Sequence, residues 1–191
     1  FVPTFGAFIQ SRGLTINREI LFDVAIAGPI AGLLVAIIVS LYGAYTMPII
    51  DPNIVEQFAK DGGSLTGLPY GNSLLFQGAL AAFGKEDAFF IYTPVLWAAW
   101  IGFLITFLNL LPAWQLDGGH LARTLLGPKL HKYTTYGSIA ILIFLGFWPM
   151  AIMIVVLGTR NPSANPLDDI SPLSKNRKIA YLGVIALAVL C

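Results

Sequence analysis

Three long runs without a charged residue constrain this chain more than any other feature: Val24 to Ile50, Phe89 to Leu111 and Tyr133 to Thr159. A helix needs about 20 apolar residues to cross a bilayer, and each run is long enough. Composition agrees with that reading. Of 191 residues, 57% are hydrophobic and only 11% charged, where soluble domains carry about 25% charged residues. Mean hydropathy is +0.77. The expected fold class is an all-α integral membrane protein, a multi-pass helical bundle in the lipid bilayer forming a single membrane domain. A fourth run, Ile179 to Cys191, is too short to span unless the chain continues. Phe1 is not a methionine and Cys191 ends inside an apolar run, so a piece of a longer chain is expected.

The net charge of +1 offers no basic field for nucleic acid. The single Cys191 excludes an internal disulfide and a Cys-rich metal site. The connection 51–88 has more acidic than basic residues and reads as external; Pro52 to Lys60 and Ser73 to Phe83 could each form a short helix within it. The 112–132 connection carries Arg123, Lys129 and Lys132, and 160–178 carries Arg160, Lys175, Arg177 and Lys178. Both read as cytoplasmic by the positive-inside rule. One straight helix over 133–159 would put them on opposite sides. Gly146-Phe147-Trp148-Pro149 sits mid-run, where Gly and Pro break helices. The run is therefore either one kinked helix or a hairpin of two half-helices, and both stay open.

The densest chemistry lies where the second run ends, at Asn109-Leu-Leu-Pro-Ala-Trp-Gln-Leu-Asp117-Gly-Gly-His120. A carboxylate beside a membrane segment costs a few kcal/mol (roughly) unless it faces water, a partner or a metal. Asp117 could ligate a metal, with two glycines allowing close approach of backbone or substrate. It could equally N-cap a short helix, 118–126, that ends at Gly127-Pro128. Asn109 could bond across helices, or donate to a substrate or oxyanion. His120 falls one helical turn after Asp117, where an interfacial histidine is the commoner case, and His131 beside Lys132 reads as solvated. Gly28 and Gly32 have the spacing that lets helix backbones touch, with Pro29 between them. They suggest close contact with the helix carrying the metal site. Asp23 opens that run as an interfacial charge, with Arg18 as the expected partner. Phe1 to Ile9 could form a short strand at the membrane surface, open to an extended peptide.

In order and spacing these pieces resemble the site-2 protease family of intramembrane zinc metalloproteases, in its archaeal, bacterial and chloroplast branch. Pro3 to Ile9, the Ala-Gly-Pro-x-Ala-Gly stretch 27–32, Gly71 to Phe76, Asn109 to Pro112 with Leu116-Asp117-Gly118, and Asn161-Pro162 to Asp168-Asp169 carry the likeness. The resemblance implies that Asp117 is the third zinc ligand and that Asn109 contacts substrate or oxyanion. It also implies a transmembrane protein substrate and Zn2+ as the cofactor. The family takes its other ligands and general base from an HExxH helix, and this chain has none; its histidines are His120 and His131. Three protein ligands hold a catalytic zinc, so the chain as it stands should be inactive. HExxH is expected within roughly 20 residues upstream of Phe1, by the resemblance alone. An inactive relative that binds transmembrane segments, or a small ion transporter, would read the same residues differently. The expected location is a prokaryotic cell membrane or a chloroplast membrane.

Overall fold

In a computed structural model the protein is described over residues 18–61, 73–86, 88, 92–160 and 173–191. These residues form seven helices: α1 (Arg18–Thr46), α2 (Pro52–Lys60), α3 (Leu74–Ala81), α4 (Pro94–Leu110), α5 (Asp117–Phe144), α6 (Trp148–Arg160) and α7 (Lys175–Leu190). No β-strand occurs among them. The strand expected over Phe1 to Ile9 and the 161–169 motif lie outside the described residues. α1 is long and apolar enough to cross a membrane, and α4 is a shorter apolar helix. The short helices expected around 52–60 and 73–83 are α2 and α3. The Ser73 hydroxyl caps α3 by accepting the Phe76 N–H at 3.1 Å. The chain divides into two compact units, one joining Gly32–Leu104 with Leu190–Cys191 and one joining the residues up to Ala31 with Ile105–Val189.

Within the 32–104 unit, small residues let α1 and α4 run antiparallel at close range. A methyl built on Gly102 would lie 3.1 Å from the Ala36 Cβ, and one on Gly43 would lie 2.9 Å from Leu96 Cδ2. Small residues at helix contacts are what membrane helices use in place of a hydrophobic drive. Aromatic rings gather at one end, where Tyr45 meets Phe83, Tyr92 meets both Phe76 and Trp97, and Trp97 meets Trp100 edge-on. The last carbonyls of α1 have no partner inside the helix. Lys85 supplies one, its Nζ donating to the Ala44, Tyr45 and Met47 carbonyls at 2.8, 3.0 and 3.4 Å. Lys85→Met should therefore cost about 1–2 kcal/mol, read as a lower Tm with the fold otherwise intact.

In the other unit, Phe22 and Ala25 of α1, Leu110, Leu121 and Ala122, and Leu173, Tyr181 and Val184 form one buried cluster. α7 is thus seated against both α1 and the start of α5. Arg177 fixes its register. Its Nε and one amino group bond the two Asp23 carboxylate oxygens at 2.9 and 2.6 Å, and the other amino group reaches Glu19 at 2.8 Å. Asp23 therefore pairs with Arg177, across 154 positions of chain. Local spacing could not have named it.

The connection 112–132, read from charge as a loop, is largely helical, and its Arg123 is buried at 3% exposure. α5 is two helices joined by a sharp bend. Gly127 has φ 76° and ψ 176°, and Pro128 starts the second half, where its fixed φ suits a first helical turn. At 1.5 Å per residue a straight helix would carry Thr135 about 27 Å from Asp117. Instead its hydroxyl lies 3.1 Å from the Trp114 N–H. The second half has folded back over the first.

α5 ends in a Schellman turn. Gly146 has φ 83°, its N–H bonds the Ile143 carbonyl, and the Phe147 N–H bonds the Leu142 carbonyl. α6 then returns beside the second half of α5, because Gly158 comes back to Trp114.

Candidate metal centre

α4 stops at Leu110 because Pro112 has no N–H to give and restricts the residue before it. The turn that follows is held by short backbone bonds, Ala113 N–H to the Leu111 carbonyl at 2.7 Å and Leu116 N–H to the Ala113 carbonyl at 3.1 Å. Trp114 within it has φ 44°, a left-handed conformation that costs a side-chain-bearing residue about 1–2 kcal/mol. Three contacts hold it there. Its N–H donates to Thr135 Oγ1 at 3.1 Å. The indole lies over Gly158, whose added methyl would be 3.3 Å from Cδ1. The His131 ring bonds the Trp114 backbone. That bond favours the protonated ring, so the ring donates to the Trp114 carbonyl, and Nδ1 is the donor because Nε2 has no partner among the described residues.

His131 is therefore buried at 5% exposure, not solvated as its basic neighbour suggested. The bend at Gly127 carries it inward.

The Asp117 carboxylate has no capping duty. The residue at the N-cap position is Leu116, and no side-chain bond caps the helix. Asp117 stands at the first helical position, half-buried. Oδ2 faces Gly28 of α1, with an added methyl there only 3.6 Å away. The glycines after it are required by backbone. A Cβ on Gly118 would collide with the Leu110 carbonyl, and one on Gly119 with the carbonyls of Trp114 and Ala113. This clash-free seat brings the start of α5 against the last turn of α4, which carries the half-buried Asn109. The turn thus sets Asn109 and Asp117 at one junction of two helix ends.

A carboxylate left half-buried without a hydrogen-bonded cation suits a metal ligand's place, since such a group either takes a proton or meets a positive charge. One ligand is not a site. Among the described residues no group of three or more His, Cys, Asp or Glu side chains could hold a metal. Two parts of the junction carry no local signal in the sequence, Thr135 and the buried His131.

Residues 1–148 match Peptidase family M50. The chain belongs to that family. M50 peptidases are the site-2 protease family, as the Asn109 to Asp117 string suggested. This M50 chain is similar to "Probable zinc metalloprotease EGY2, chloroplastic" of Arabidopsis thaliana, 32% identical over 153 residues, a match covering 74% of this chain and 26% of that protein. It is also similar to "Probable zinc metalloprotease EGY1, chloroplastic" of Oryza sativa subsp. japonica, 27% identical over 207 residues, covering 100% of this chain and 34% of that one. The Arabidopsis EGY1 protein is 26% identical over 210 residues, covering 99% and 36%. The M50 chain thus spans between a quarter and just over a third of the length of these curated relatives. No solved structure matches it. The family is one of peptidases, these relatives are described as zinc metalloproteases, and α1 is long and apolar enough to cross a membrane.

Proposed function

We propose that this chain carries the Asp-ligand half of an intramembrane zinc protease that cleaves transmembrane segments. The observation that carries the reading is the Asp117 carboxylate, free of capping duty and facing Gly28 at the junction of α4 and α5. Asp117 is the third zinc ligand, and the remaining two come from protein outside residues 1–191. When bound, zinc of this class supplies a water of lowered pKa and polarises a carbonyl. The chain's own residues do the rest. Asn109, at the end of α4, donates a hydrogen bond to the substrate carbonyl as it gains negative charge. The non-helical turn 111–116 is tolerable at membrane depth where it lines a water-filled cavity, which also gives the carboxylate a wet place to sit. α1 and α4 cross the bilayer, and α5 and α6 form a hairpin whose ends return to one face, so that the basic connections on either side of it share the cytoplasmic side.

The test uses the full-length protein and a transmembrane reporter. Stripping metal with a chelator should stop cleavage, and zinc should restore it. Asn109→Ala should slow cleavage roughly 100-fold, the usual effect of removing one oxyanion donor, while zinc content stays unchanged. Cleavage that survives complete metal removal would overturn the protease reading.

A further inference from the structure

We propose that His131 and Thr135 are positioning residues for Asp117, acting through the Trp114 peptide that they grip from both sides. The inference rests on Asp117 being a zinc ligand. Trp114 is the one non-glycine with positive φ among the described residues, and it sits three positions before the carboxylate. A strained residue persists only where its surroundings over-determine it. Here the second half of α5 does so with two side chains one turn apart. Thr135 Oγ1 accepts the Trp114 N–H at 3.1 Å and donates its own proton to the His131 carbonyl at 2.9 Å. The His131 ring takes the Trp114 carbonyl. That same carbonyl is the one a Cβ on Gly119 would strike, so it is packed against the first turn of α5.

The path from clasp to carboxylate is therefore short and made of contacts. His131 and Thr135 set the Trp114 peptide plane, the carbonyl of that plane backs Gly119, and Gly119 lies two residues after Asp117 on a single helical turn. If the clasp opens, Trp114 is free to relax to negative φ. The helix start would rotate, and the carboxylate would leave its seat at Gly28. Neither His131 nor Thr135 has to touch metal or substrate for this.

Three variants of the full-length protein test it by hydrogen exchange of the 113–119 amides and by zinc retention against a competing chelator. His131→Leu should speed exchange in that segment roughly tenfold, as expected for local opening on loss of a buried bond. Zinc affinity should fall roughly tenfold, as it does when a group that orients a ligand is removed. Thr135→Val keeps the side-chain shape, removes the acceptor, and should act on the same amides. His131→Asn presents an amide donor near the place of Nδ1 and should restore both readouts, which a merely space-filling histidine would not. Unchanged exchange in both His131→Leu and Thr135→Val overturns the clasp. Faster exchange with zinc affinity intact overturns the positioning role. Failure of Asp117→Ala to release zinc would instead remove the metal reading, and the exchange data would still decide the clasp.

Discussion

Gly119→Ala is expected to lower Tm by roughly 6–12 °C and to reduce cleavage at least about 100-fold, although it adds one methyl group. That methyl would fall on the carbonyls of Trp114 and Ala113, and backbone cannot rotate out of the way as a side-chain end does. Overpacking of this kind costs about 3 kcal/mol. A shift near 1 Å in the turn relieves it, but that shift moves Asp117 two residues away. Gly137→Ala is the matched control. It lies in the second half of α5 with nothing within 4 Å of an added methyl, so it should be neutral or slightly stabilising. Thermal melts and reporter cleavage on the two variants side by side decide the matter. If Gly119→Ala behaves like Gly137→Ala, the turn described for 113–119 is wrong.

Asp117→Ala should abolish cleavage and release zinc. Loss of a group that merely orients a ligand costs about 10–100-fold in affinity, so loss of the ligand itself should exceed 100-fold (about). Asp117→Asn sharpens the test, because it keeps the shape of the side chain and removes the anion. The metal-free Asn variant should melt no lower than the metal-free parent. Burial disfavours the charged carboxylate and no side-chain cap depends on it. Zinc retention should still be lost. Full cleavage by either variant would remove Asp117 from the site, whereas a large drop in the Tm of the metal-free Asn variant would give it a structural role instead.

Much of the architecture follows from local chemistry that a sequence states openly. Pro112 ends α4, Gly127-Pro128 bends α5, and Gly146 closes it, because glycine and proline act on their own backbone. Asp117 stood out as a candidate because a carboxylate followed by two glycines ends an apolar run, with capping and metal ligation both open in the sequence. What tertiary structure decided were the pairings between distant residues. Asp23 pairs with Arg177 because α7 docks on α1, and Lys85 caps α1 from some forty residues away. His131 is buried where a solvated side chain was expected, because one glycine dihedral turns the second half of α5 inward. That glycine was plain in the sequence. The direction in which it sends the chain was not, since it depends on which surfaces of the two half-helices pack, and packing is a property of the folded whole.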